Sequence, residues 1–185
     1  MSGIGHNRGP SLDGGTNWRS HCWRQARAAL LPHLPVEVVR SRVRRAAELG
    51  LDYRTYAGVR ATTGHDLVAF LFSSNALGLS AAHPVLAAER AAKLAAIGGA
   101  GRIALVLPPL TPEAVCAGGL PLDAAHVAPG LLTSDGIARA TIRAALGKLP
   151  ADAVLLIGDN ELERGWCAAA RLAGYLGADR YFAAA

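Results

Sequence analysis

The chain has 185 residues, 51% of them apolar, with a formal net charge of +5. That length fits one domain, or one domain with a small appendage, and is enough to bury a sound core. A membrane-spanning segment is excluded, since no run approaches the ~18–20 uninterrupted apolar residues a spanning helix needs. The scattered cysteines, Cys22, Cys116 and Cys167, have no metal spacing and are expected to be reduced and buried.

Residues 1–16, MSGIGHNRGPSLDGGT, are rich in Gly, Ser and Pro and read as a flexible tail. Residues 1–10 lack the apolar stretch of a secretory signal, so a soluble, cytoplasmic protein is expected. Asn17 can cap a helix over 17–31 that Pro32 ends. Its apolar face is Trp18, Cys22, Ala26, Ala29 and Leu30, with Trp23 beside it, and Trp18 and Trp23 are read as anchors rather than stacking platforms.

Residues 35–64 read as two short helices meeting at a tight corner. Pro35 suits a first helical position, where its missing N–H costs nothing. Val36, Val39, Val43, Ala46 and Ala47 recur at helical spacing and form one apolar stripe. Gly50 fits a left-handed C′ position, Asp52 caps a second helix, and Gly64 closes it. This segment resembles the helix-turn-helix of DNA-binding proteins: Ala46 falls where two helices touch, Gly50 at the turn, and Leu49, Leu51, Tyr56 and Val59 on the buried positions. Arg45 departs from the motif, which has an apolar residue there. The resemblance implies a three-helix unit over 17–64 that meets nucleic acid. The run GIGHNRGP also resembles a short N-terminal tag on small alphaproteobacterial proteins, which hints at a bacterial source and assigns no activity.

Charge reinforces the first implication. Residues 1–66 carry ten arginines against five acids, while 67–185 balance nine bases with nine acids. Clustered arginine favours phosphate, a nucleic-acid backbone or an acidic protein face. Arg40, Arg44, Arg45, Arg54 and Arg60 are the candidate contacts. A GC-rich coding bias, which favours Arg over Lys, would give the same composition without function.

After Gly64 the texture changes. Strands are expected over 67–72 (LVAFLF), 102–107 (RIALVL), 125–128, 153–157 (AVLLI) and, at the terminus, 180–182. Helices are expected over 84–97, 111–117, 134–149 and 160–176. Buried strands alternating with helices predict a Rossmann-like domain over 65–185, with a mostly parallel sheet of four to five strands in three layers. The fold class is therefore α/β, a small N-terminal helical unit packed on that domain.

Ligands of open α/β sheets bind beyond the carboxyl ends of the strands. Two such ends are polar here: Ser73-Ser74-Asn75 and Gly158-Asp159-Asn160-Glu161. The first can offer backbone N–H groups to an anion; Asp159 can hold a ribose hydroxyl or a metal-bound water, or simply favour the positive end of its helix. The run Gly98-Gly99-Ala100-Gly101 follows a helix and precedes a strand, the wrong order for a dinucleotide fingerprint. No phosphate-loop lysine, serine elbow or histidine metal spacing is present, so no catalytic residue, cofactor or metal is assigned. Three functions remain open: a nucleic-acid-associated protein, an adaptor docking an acidic partner, and a small protein or enzyme binding a nucleotide or phosphate ligand.

Overall fold

The computed structural model describes residues 34–83, 85–130 and 132–183. The tail expected over 1–16 and the helix expected over 17–31 lie outside the described residues. Two compact units are distinguished, 1–39 and 40–185, the boundary falling within the first described helix. Apart from the first turn of that helix, everything below concerns the second.

The elements run in order as α1 (Val36–Glu48), α2 (Tyr53–Thr63), β1 (Ala69–Ser73), α3 (Ser74–Leu77), α4 (Ala88–Ala95), β2 (Gly101–Val106), α5 (Pro112–Ala117), β3 (Ala124–Val127), α6 (Asp135–Leu146), β4 (Val154–Gly158), α7 (Glu161–Ala170), β5 (Gly174–Gly177) and α8 (Ala178–Ala183), with a short 3₁₀ turn (Ala151–Ala153) before β4. The five strands form one sheet in the order β3-β2-β1-β4-β5, and every pairing is parallel. Chain order therefore runs outward from β1 in one direction and then restarts on its other side.

Strand residues alternate between two buried layers, as their period of two demands. Phe70, Phe72, Ala104, Val106, Leu155 and Ile157 face one cluster, together with Ala46, Leu49, Leu51 and Tyr56 of the corner, Leu94 of α4, Val115 of α5 and Tyr181 of α8. Ala69, Leu71, Ile103, Leu105, Val154 and Leu156 face the other, against Ile142 and Leu146 of α6 and Trp166, Cys167 and Ala170 of α7. The molecule is a three-layer α/β structure, and the corner's inward residues belong to one of its outer layers.

The corner closes by backbone chemistry that its glycine allows. Gly50 takes φ +65°, Leu51 N–H donates to Ala46 O and Gly50 N–H to Ala47 O, a Schellman closure of α1. Asp52 then caps α2 by accepting from Thr55 N. Arg45 fastens the corner to the sheet. Its Nε donates to Asp66 at 3.0 Å, and its other nitrogens reach the carbonyls of Leu67, Gly98 and Gly99. Tyr56 OH donates to the other Asp66 oxygen at 2.8 Å. One guanidinium thus joins α1 to the residues leading into both β1 and β2.

At the C-terminal end, two expectations are corrected. The helix expected to run from Asn160 to 176 stops at Ala170, and the fifth strand takes over the end of its expected span, at Gly174–Gly177. The terminal strand expected at 180–182 is instead helix α8. No glycine marks the stop. Arg171 itself adopts φ 57°, donating to Ala168 O while Leu172 N–H reaches Cys167 O. Pairing with β4 then overrides the helical preference of the segment. Tyr181, fully buried among Phe70 and Phe72 and donating to Leu49 O, holds α8 down.

Arg45→Ala should destabilise the protein by about 2–3 kcal/mol, because it strands a carboxylate and several carbonyls, whereas the exposed Arg44→Ala should stay within about 0.5 kcal/mol. Thermal denaturation compares them. Burial alone would raise the Asp66 carboxyl, but the bonds from Tyr56 and Arg45 outweigh it and hold it below the usual range. A carboxyl lowered on folding contributes stability present above its unfolded value and lost as pH falls through the folded one. Asp66→Asn should therefore lower Tm at pH 7 and flatten the loss of stability below about pH 4. Arg171→Gly removes a side chain from left-handed backbone and should stabilise by about 0.5–1 kcal/mol in the same assay.

Candidate functional site

The order of the sheet decides which loops can meet. The order in which strands are laid down reverses between β1 and β4, and that is where doubly wound sheets open a crevice at their carboxyl edge. The two polar ends, Ser73-Ser74-Asn75 and Gly158-Asp159-Asn160, leave these two neighbouring strands. They are 83 or more residues apart in the chain, and pairing of β1 with β4 brings them side by side.

Most of their polar groups have work inside the fold. Ser73 is fully buried and caps α3, its Oγ accepting from Ala76 N at 3.0 Å. The buried Ser74 Oγ accepts from Leu107 N at 3.1 Å, tying the end of β2 to β1 just before the cis Pro108-Pro109 bond. Asn160 Oδ1 caps α7 by accepting from Glu163 N. Asn75, Asp159 and Asn160 keep exposed surface at the rim.

The residue that joins the two loops is Glu163, which the sequence reading did not single out. It is 0% exposed. Asn75 Nδ2 donates to its Oε1 at 2.9 Å, and Asp159 N–H to its Oε2 at 2.5 Å. Its signal was legible as an Asn-x-x-Glu capping pattern beginning at Asn160. Gly158 makes the room: a Cβ there would lie 2.7 Å from Glu163 Oε2 and 2.5 Å from the Tyr175 ring. Tyr175 closes the side, its OH donating to Asn160 O and its ring covered by the Arg164 guanidinium at 4.4 Å. Burial, then the Glu163 charge, pushes the Tyr175 hydroxyl above its ordinary value.

The arginines lie apart from this crevice. Arg45 is spent on the clamp at the amino ends of β1 and β2. Arg60 is half-buried, 3.9 Å from Asp66. Arg40 and Arg44 are exposed one helical turn apart on α1, and Arg54 is exposed in the first turn of α2. Arg180, from α8, comes to the same end of α2, donating to Thr55 Oγ1 at 3.4 Å. Only tertiary structure could have revealed that neighbour.

A further cleft of about 620 Å³ opens between Leu77-Gly78, the start of α4 and α8, and none of the expected ligand residues lines it. Among the described residues, no group of three or more His, Cys, Asp or Glu is placed to hold a metal ion, and no helix is long and apolar enough to cross a membrane. Burial raises the Cys167 thiol to about 11, so it is a poor nucleophile at neutral pH. No family model, curated protein or solved structure matches the chain.

Gly158→Ala should cost about 1–3 kcal/mol through overpacking against Glu163 and Tyr175. The exposed Gly165→Ala, in the middle of α7 with open space around it, should instead be neutral or stabilising. Urea denaturation of the two variants separates these outcomes.

Proposed function

We propose that the protein binds a small hydroxyl-bearing ligand, of the nucleoside or nucleotide class, at the crevice between the carboxyl ends of β1 and β4. The observation that carries this reading is the reversal of strand order between those parallel neighbours, which brings Asn75, Asp159 and Asn160 to one rim. Asp159 is the acceptor for sugar hydroxyls; the Asn75 and Asn160 side chains supply mixed donors and acceptors. The floor is already charged by Glu163, which favours a ligand approaching by its neutral hydroxyls over one approaching by phosphate. Thermal-shift measurement across nucleosides, nucleotides and inorganic phosphate tests it, because a ligand bound only by the folded state raises Tm. A rise with nucleosides that Asp159→Ala abolishes is expected. No rise with any of them rejects the reading.

A second reading rests on a separate observation. Arg40 and Arg44 lie one turn apart on the exposed side of α1, with Arg54 exposed on α2. Such an outward cationic face suits a nucleic-acid backbone, and Arg45 and Arg60 then support the corner rather than touch phosphate. Duplex-DNA affinity should fall steeply with salt, and replacing Arg40, Arg44 and Arg54 by Ala should reduce both the affinity and the salt slope. Absence of duplex binding at low ionic strength discards it.

A further inference from the structure

Glu163 does more than an ordinary capping residue. In a capping box the third helical residue returns to the N–H of the cap residue itself. Here that would be Asn160. The Glu163 carboxylate instead reaches the N–H of Asp159, one residue further out. Its other oxygen crosses to the side chain of Asn75, 88 residues away in the chain, on the loop after β1. A carboxylate buried this completely is costly unless its oxygens are bonded, and both are, one by each loop. The two donors converge from separate strands, and Gly158 leaves the space between them free of a Cβ. Donors aimed at one point, with room for one small anion, constitute a seat that exists apart from the side chain filling it.

We propose that the β1/β4 crevice contains an anion-binding seat, formed by Asn75 Nδ2 and the Asp159 N–H beside Gly158, which the chain fills with its own Glu163 carboxylate. Removing that carboxylate opens the seat to small monocarboxylates such as formate and acetate. The seat also sets what the crevice rejects. While Glu163 occupies it, the Asp159 N–H and the Asn75 N–H that point into the seat are not offered to an incoming phosphate or carboxylate. Only the second Asn75 N–H stays free to meet a ligand at the rim. This inference stands independently of the ligand reading above, because its test uses no nucleoside.

The experiment is thermal denaturation of the full chain with Glu163→Ala, titrated with sodium formate, sodium acetate, sodium chloride and formamide. Formate and acetate should raise the variant's Tm by about 2–4 °C or more beyond matched chloride, and leave the parent protein unmoved. Formamide, neutral and of similar size, should not. Equal response to formate, chloride and formamide overturns the proposal. Should Glu163→Ala fold poorly, its refolding yield in formate against chloride gives the same decision. Glu163→Gln, which keeps the shape and fills the seat without charge, supplies a second measurement. The Asp159 amide proton should move upfield in it relative to the parent, and formate should not rescue it. An unmoved Asp159 resonance overturns the proposal too.

Discussion

The Arg45 guanidinium is the constraint on which the rest of the molecule's arrangement depends. It is half-buried and divides its donors among two carboxylates, those of Asp66 and Glu48, and three backbone carbonyls from the chain entering β1 and β2. Hydrogen bonds to charged groups are worth about 1.5–3 kcal/mol each, well above an exposed ion pair. A lysine, with a single point charge, could not bridge these partners as a planar fork does. The clamp sets the corner of α1 and α2 on the sheet, so that Ala46, Leu49, Leu51 and Tyr56 complete the layer over Phe70 and Phe72.

At the opposite edge, Glu163 does for the carboxyl ends what Arg45 does for the amino ends. Each is a charged side chain that ties loops belonging to neighbouring strands, and each is bonded within the fold rather than left to solvent alone. Between them runs β1, every residue of which is buried. Backbone pairing and the buried apolar pattern set the register of this central strand. The polar links at its two ends add to that specificity, while the apolar faces supply the bulk of the stability.

This division accounts for where chemistry can occur. The central strands β1 and β4 carry no reactive side chain before their carboxyl ends, so the polar groups that flank the crevice lie beyond those ends. The amino edge is consumed by the clamp. The carboxyl edge keeps Asn75, Asp159 and Asn160 at the surface above a floor already charged, and this is the basis for proposing a neutral, hydroxyl-rich ligand there rather than a bare anion.

Local signals in the sequence determined a good deal. The apolar runs marked β1, β2 and β4 because a parallel strand covered on both faces must be apolar throughout. Gly50, Asp52, Thr111 and Asn160 marked helix ends because left-handed backbone and orphan N–H groups select those residues. Both polar strand ends were legible for the same reason. What remained for the tertiary structure was everything set by partners distant in the chain. Arg171 in a position that glycine usually fills, and a β5 that exists only because β4 offers it an edge, were invisible to periodicity. So were the inward turn of Arg45 toward Asp66 and the reach of Glu163 to Asn75. A side chain's charge can be read from sequence, but whether it faces water or another strand is fixed only when the sheet closes.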